Sequence, residues 1–337
     1  MNGQMNDKKI GHIRYGFQLI LSLMLLLIVV ILSILLGDAQ VDLKTIIEAI
    51  LHYDASNQAH NVIVEIRIPR DVGAMLVGMA LATGGAVIQG VTKNGLADPS
   101  LIGLNAGAAF TLALTYALFP GISFILLILA SFIGAILGGT MVMIIGSSRR
   151  DGFNPMRLIL AGAAVSALLT ALSQGVALAF RLNQSIYFWI AGGVSGTSWQ
   201  HVLISGPMII VSIVILLVMS KHLTILSLGD ALATGLGQNI KVIRGFSLLI
   251  TMLLAGISVA IVGQIAFVGL IVPHIVRYLV GTDYIKVIPM SLVLGATFVL
   301  MADTIARLLG EAPMSAIISF IGVPFFLYLI RKGGRTI

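Results

Sequence analysis

The side chains best suited to binding chemistry are three arginines near the ends of apolar segments, Arg67, Arg70 and Arg307. A guanidinium is planar and can pair with a carboxylate through two parallel hydrogen bonds. A basic side chain at the end of a membrane segment more often extends to the lipid headgroups. By their chemistry these three residues suit either contacts with lipid headgroups or pairing with carboxylates.

Residues for enzyme chemistry are scarce. The six histidines are scattered, cysteine is absent, and neither G-x-x-x-x-G-K-[ST] nor H-E-x-x-H occurs. The sequence therefore predicts no catalytic residue, no cofactor and no metal site. Asp303 lies inside an apolar segment, where proton-driven transporters place ionisable groups. This leaves a secondary transporter driven by an ion gradient as an alternative function.

The composition indicates the environment in which these residues must be positioned. Of 337 residues, 58% are hydrophobic and 10% are charged, against roughly 25% charged in ordinary soluble domains. The mean hydropathy is +1.07. The composition predicts an all-α polytopic membrane protein and excludes disorder and simple nucleic-acid binding.

Uncharged segments between charges locate the membrane spans. Pro and Gly at Phe119–Gly121 divide one long segment into two, and the segment after Arg244 is divided near Gly263. The predicted spans are 16–37, 72–92, 99–118, 121–148, 158–180, 201–220, 245–262, 264–276, 287–306 and 312–330. Ten transmembrane helices place both termini on one side of the membrane.

The distribution of basic residues orients these spans. The N-terminus carries Lys8, Lys9 and Arg14, and the C-terminus carries Arg331, Lys332 and Arg335. Cytoplasmic loops are enriched in Lys and Arg, so both termini are predicted to be cytoplasmic. Five of the 20 basic residues then lie outside: Lys44, Arg67, Arg70, Arg181 and Arg307.

Two connecting segments are large enough to carry function. Residues 38–71 form an outer surface loop, in which Leu43, Ile46 and Ile50 have the spacing of an amphipathic helix. Residues 221–244 form a cytoplasmic loop, where Gly229, Gly235 and Gly237 interrupt good helix formers. The second segment is predicted to form two short helices with a glycine joint.

Several ordered motifs resemble one family of transport proteins. They are RIPR (67–70), GMALATGGAVIQGVTKNGLADPSLIGLNAGA (78–108), GQIAFVGLIVPHIVR (263–277), ADTIAR (302–307) and EAP (311–313). From about residue 60 onward the chain resembles the permeases of iron–siderophore, haem and cobalamin ABC importers. The resemblance implies a type II ABC importer fold, with residues 1–337 as a single ten-helix permease domain in the bacterial cytoplasmic membrane.

The resemblance also implies partners and a substrate. Two ATPase subunits would dock inside, an extracellular substrate-binding lipoprotein would dock outside, and a second permease chain, identical or related, would complete a dimer in the lipid bilayer. ATP hydrolysis would then belong to other chains, so this chain would be a transport subunit and not an enzyme. The expected substrate is an iron(III)-siderophore, with a ferric hydroxamate as the first choice.

Specific residues acquire expected roles through the same resemblance. Arg67, Arg70 and Arg307 would pair with glutamates on the two lobes of the binding protein. Asn94 and Leu96 would line a cytoplasmic gate, although Gly95 replaces the proline usual in the family. The residues expected to contact the ATPase are Gly229, Asp230, Ala231, Gly235 and Gly237.

Overall fold

In the computed structural model the chain is an all-helical bundle, as its composition predicts. The structure describes residues 2–36, 42–100, 103–147, 155–182 and 192–331, and of residues 2–12, 155, 156, 158 and 159 only the backbone. Predictions that concern residues 38–41 or the side chains of Lys8, Lys9, Lys332 and Arg335 therefore lie outside the described part.

The described helices follow the predicted spans closely. They are α1 (Asn2–Leu35), α2 (Leu43–Leu51), α3 (Gln58–Asn61), α4 (Ile68–Thr92), α5 (Leu104–Leu118), α6 (Phe124–Ser147), α7 (Pro155–Ala179), α8 (Trp199–Val218), α9 (Ser220–Ser227), α10 (Asp230–Gly235), α11 (Ile240–Val262), α12 (Val268–Val280), α13 (Tyr284–Leu308) and α14 (Met314–Arg331). Among the described residues, eight segments are long and apolar enough to cross a membrane. The apolar helices α5 and α12 are shorter, so the count of ten spans stays a prediction.

The predicted break near Gly263 is confirmed. Helix α11 ends at Val262, and α12 begins at Val268. Gly263 adopts a φ of 73°, a left-handed conformation that glycine reaches without a steric penalty. The chain can therefore turn between two helices inside one apolar segment.

Helix α4 is the central helix of the bundle, with neighbours α8, α11, α12 and α13. It is buried along most of its length because its small residues let other backbones approach closely. A Cβ at Gly78 would meet the backbone of Gly295, and a Cβ at Gly85 would meet the backbone of Gly269. These contacts fix α4 relative to α12 and α13.

The segment before α4 is more regular than a surface loop. The predicted amphipathic helix is α2, which buries Ile46 and Ala49. A short π-helical stretch, Val62–Arg67, then joins α3 directly to α4. Helix α4 consequently begins at Ile68, four residues before the predicted start, and this places Arg67 and Arg70 on a rigid helical segment.

Candidate functional sites at the two ends of the bundle

Helix α4 positions two groups of charged residues at opposite ends. Arg70 lies in its first turn, and Lys93 is the residue that ends it. At 1.5 Å per residue the two positions are about 35 Å apart, which is close to the thickness of a bilayer. In the orientation predicted above, Arg70 lies at the outer end and Lys93 at the inner end.

The first half of the outer group is centred on Arg70. Its Nη2 lies 2.9 Å from Asp303 Oδ1, and its Nε lies 3.0 Å from Asp303 Oδ2. Its Nη1 and Nη2 also donate to the two carboxylate oxygens of Glu311, at 2.8 and 2.9 Å. One guanidinium thus binds two carboxylates, each through two hydrogen bonds, which is the strongest geometry for such pairs.

The second half is centred on Arg307, one helical turn after Asp303. Its Nη2 lies 2.7 Å from Asp71 Oδ1, and its Nε lies 3.2 Å from Asp303 Oδ2. Ser33 of α1 donates to Asp71 Oδ1 at 2.8 Å. We call these residues the outer network: Ser33, Arg70, Asp71, Asp303, Arg307 and Glu311. It ties together the outer ends of α1, α4 and α13.

The three arginines predicted to dock a partner therefore lie at one end of the molecule but are largely buried. Arg67, Arg70 and Arg307 are 6%, 7% and 6% exposed, and Arg67 donates to the backbone oxygen of Ile34. Sequence reasoning found the arginines but did not predict that carboxylates bind Arg70 and Arg307. Their docking role stays a prediction.

Asp303 has a role different from the one that the secondary-transporter alternative requires. Its carboxylate is 1% exposed and is bound by both Arg70 and Arg307. A proton carrier must exchange its proton with water during transport, whereas this carboxylate is enclosed between two guanidinium groups. The geometry favours a structural ion pair.

Glu311 is the member of the outer network that water reaches. Its side chain is 47% exposed, and the hydrogen bonds from Arg70 lower the pKa of its carboxyl. Together with Arg70 and Asp303 it lines a small cleft of about 20 Å³, whose other walls come from residues 192–195 and 312–314.

The inner group connects the end of α4, helix α10 and helix α11 through one carboxylate. Asp230, the first residue of α10, accepts a hydrogen bond from Lys93 Nζ at 2.7 Å and one from Arg244 Nη2 at 3.1 Å. These hydrogen bonds lower the pKa of the Asp230 carboxyl, and the one from Lys93 has the largest effect. We call Lys93, Asp230 and Arg244 the inner network. Its members are all partly exposed to water.

The glycine joint predicted in the cytoplasmic loop is present. Helices α9 and α10 are separated by Leu228 and Gly229. Gly229 has a φ of 134° and Gly237 a φ of 76°, and side chains at these positions would be strained. Gly235 lies at the end of α10 with open space around it, and Ala231 lies in the first turn of the same helix. The predicted coupling residues thus surround one short exposed helix.

The predicted gate residues form the turn directly after Lys93. Asn94 Oδ1 accepts from the backbone nitrogen of Leu96 at 3.0 Å, and the Asn94 carbonyl accepts from Ala97 nitrogen at 3.0 Å. This Asx turn fixes its own conformation locally. Because Lys93 binds Asp230, one ion pair connects the predicted gate turn to the predicted coupling helix. Lys93 and Asp230 are 137 residues apart, so the sequence does not reveal this pair.

A further polar cluster inside the bundle was not predicted. Arg277 Nη2 donates to Gln89 Oε1, and Gln89 Nε2 donates to the Gly269 carbonyl at 3.0 Å. The Tyr284 hydroxyl donates to the Ala86 carbonyl at 3.0 Å. The motif at 263–277, which contains Arg277, could have indicated a polar site. It does not reveal that the partner of Arg277 is Gln89 on α4.

Comparison with known proteins gives consistent results. The model of the FecCD transport family matches residues 25–332. Over 323 residues the chain is 46% identical to the iron(3+)-hydroxamate import system permease protein FhuB of Bacillus subtilis, covering 94% of this chain and 83% of that protein. It is 40% identical to the iron-uptake system permease protein FeuB of the same organism, over 90% of this chain and 92% of that protein.

A solved structure is similar over nearly the whole chain. It is a transporter of the metal-chelate ABC type in an inward-facing conformation, with a TM-score of 0.78 and 30% sequence identity. The similarity covers 94% of this chain and 99% of the solved one. The helical bundle described above is therefore the architecture of an ABC importer permease.

Proposed function

Because this chain belongs to the FecCD transport family, we propose that it carries a ferric hydroxamate siderophore inward across the bacterial cytoplasmic membrane. The chain is a multi-pass permease subunit of an ABC importer for iron(III)-siderophores. The observation that supports a hydroxamate is the 46% identity to a hydroxamate permease over 94% of the chain. The substrate is cargo, released inside the cell.

The importer would be completed by other chains. We propose two ATPase subunits on the cytoplasmic side, a substrate-binding lipoprotein on the outer side, and a second permease chain, identical or related, across a dimer interface. Both termini would be cytoplasmic, as the basic residues predict. In this arrangement ATP hydrolysis belongs to the ATPase subunits, and this chain is a transport subunit and not an enzyme.

The cytoplasmic loop 221–244 would receive the motion of the ATPase. Helix α10 carries Asp230, Ala231 and Gly235, and all three residues are exposed. We expect this surface to enter a groove of the ATPase. Asp230 forms an ion pair with Lys93, which directly precedes the turn that contains Asn94 and Leu96. A displacement of α10 would therefore reach the gate turn through a single ion pair and would not require the bundle to deform.

The outer end would receive the loaded binding protein. Among the three predicted docking arginines, Arg70 is the one that lines the outer cleft. Arg67 and Arg307 are held by Ile34 and by Asp71, so they would contact the partner only after the outer ends of α1 and α4 rearrange. We therefore expect Arg70 to contribute most to docking.

Transport in liposomes tests this function. The chain is purified with the proteins that accompany it, reconstituted, and supplied with ATP inside and with radio-iron-labelled ferric hydroxamate and its binding protein outside. We expect ATP-dependent uptake of the hydroxamate and little uptake of a ferric catecholate or haem. A complex whose ATPase cannot hydrolyse ATP is the control.

Two outcomes contradict the proposal differently. Uptake by this chain without an ATPase or ATP would replace the ABC mechanism by a secondary transporter. ATP-dependent uptake of the catecholate or haem in preference to the hydroxamate would retain the mechanism and reject the substrate.

A further inference from the structure

The Arg70 guanidinium is bound on two sides by carboxylates with very different exposure. Asp303 approaches from inside the bundle and is 1% exposed, whereas Glu311 approaches from the cleft and is 47% exposed. Both pairs use two hydrogen bonds. The cleft side of Arg70, which an incoming protein would have to reach, is thus already occupied by a carboxylate of the same chain.

The backbone around Glu311 is shaped to bring that carboxylate back over Arg70. Gly310 and Glu311 have φ values of 74° and 60°. The left-handed conformation costs a residue with a Cβ about 1–2 kcal/mol. The turn is closed by hydrogen bonds from Gly310 nitrogen to the Arg307 carbonyl and from Ala312 nitrogen to the Ala306 carbonyl, both 3.1 Å. Strain of this kind is typical of functional segments.

The cleft beside the pair is small, with room for about one water molecule, so another carboxylate reaches Arg70 only by taking the place of Glu311. Arg70 and Glu311 both line it, and a Cβ added to Gly193 on its wall would meet no atom within 4 Å. A carboxylate entering from outside would reach the same guanidinium nitrogens that Glu311 now occupies. Asp303 would remain bound on the buried side throughout.

We propose that Glu311 is an internal competitor for Arg70, which an acidic side chain of the docking binding protein displaces. This inference rests on the proposed docking role of Arg70. The exchange replaces one carboxylate by another, so Arg70 is never left buried without a counter-charge. That route avoids the large penalty of an unpaired buried ion. Docking affinity then reflects the difference between two similar pairs, which favours release after transport.

The proposal predicts that removing the competitor strengthens docking. In Glu311→Gln the neutral amide binds the guanidinium less well, so the affinity of the loaded binding protein should rise by up to about five-fold, the value of a partly exposed ion pair. Glu311→Asn is a second variant, because asparagine tolerates the left-handed conformation. Glu48→Gln is the matched control: it removes an outer carboxylate whose partner is Lys44.

The experiment measures the dissociation constant of the hydroxamate-loaded binding protein for the complete importer in nanodiscs. Arg70→Lys, which cannot bind in the same bidentate way, is measured in parallel. If Arg70→Lys binds as the wild type does, the proposed docking role fails. If Arg70→Lys weakens binding while both Glu311 variants match the wild type, the competitor proposal is overturned and docking stands.

A second measurement needs no partner. Hydroxyphenylglyoxal reacts with accessible guanidinium groups, and its attachment to Arg70 can be followed by mass spectrometry of the reconstituted chain. We expect faster labelling of Arg70 in Glu311→Gln than in the wild type or in Glu48→Gln. An unchanged rate would show that the charge of Glu311 does not restrain Arg70 and would overturn the proposal.

Discussion

The outer and inner networks both join a basic residue of α4 to carboxylates that are distant in sequence, yet water reaches them very differently. In the outer network the side chains of Arg70, Asp303 and Arg307 are 9%, 1% and 6% exposed. In the inner network Lys93 and Asp230 are 38% and 50% exposed. The same chemistry therefore operates in two environments.

This difference in burial separates the networks energetically. Breaking a buried ion pair leaves an uncompensated charge and costs about 3–5 kcal/mol, whereas exposed pairs contribute about 0.2–1 kcal/mol. The outer network is suited to holding α1, α4 and α13 together, because its buried pairs are costly to break. The inner network is suited to breaking and re-forming, as the proposed coupling role of α10 requires.

The largest expected effect is on the outer side. Asp303→Asn removes the carboxylate shared by Arg70 and Arg307, and we expect the free energy of unfolding to fall by about 3–5 kcal/mol. Unfolding in mixed micelles, followed by helical circular dichroism during titration with SDS, measures this change.

Glu311→Gln is the control for that experiment. It removes the half-exposed partner of Arg70 and leaves Asp303 in place, so its expected cost is about 1 kcal/mol or less. Equal losses for the two variants would mean that burial does not distinguish the ion pairs.

A smaller effect on stability but a large effect on function is expected at the inner end. Gly235→Leu introduces bulk into open space, so the fold should be retained with a stability change of about 1 kcal/mol or less. If α10 enters a groove of the ATPase, the same bulk should reduce ATPase stimulation by the loaded binding protein about ten-fold or more.

Gly245→Leu provides a matched control on α11. Gly245 is also exposed, helical and without neighbours for a Cβ, but it lies outside α10. We expect it to remain stable and fully stimulated. Undiminished stimulation in Gly235→Leu, or an equal loss in both variants, would contradict the assignment of α10 as the coupling helix.

Much of this architecture could be predicted because its signals are local. Apolar segments, the turn at Phe119–Gly121 and the break at Gly263 depend on residues that are adjacent in sequence. The glycine joint at Gly229 is equally local, since only that residue type enters its conformation readily. Sequence reasoning therefore located the helices, and the functional roles that it assigned to the two ends of the bundle stay predictions.

The pairing within the networks could not be predicted, because it depends on how distant helices pack. Arg70 and Asp303 are 233 residues apart, and Lys93 and Asp230 are 137 apart. Whether an arginine near a span end faces headgroups, a partner or a carboxylate is decided by the neighbour that packing supplies. The close contact of Gly78 with Gly295 brings α13, and thus Asp303, against α4.

The smallest expected effect tests the exposed character of the inner network. Asp230→Asn removes the charge that Lys93 and Arg244 share, and we expect a loss of about 0.2–1 kcal/mol in unfolding free energy. High salt should shrink this loss, because screening is efficient at exposed sites. The same salt should leave the effect of Asp303→Asn nearly unchanged.

The pH dependence of that small loss follows from the lowered pKa of Asp230. A carboxyl whose pKa is lower in the folded state stabilises the fold above its unfolded pKa of about 4, and this contribution disappears as pH falls through the folded value. The gap between the wild type and Asp230→Asn should thus be constant from about pH 5 to 8 and close below about pH 4. A gap that resists salt, or one that exceeds about 3 kcal/mol, would mean that the inner network behaves as a buried one and could not yield to the motion of α10.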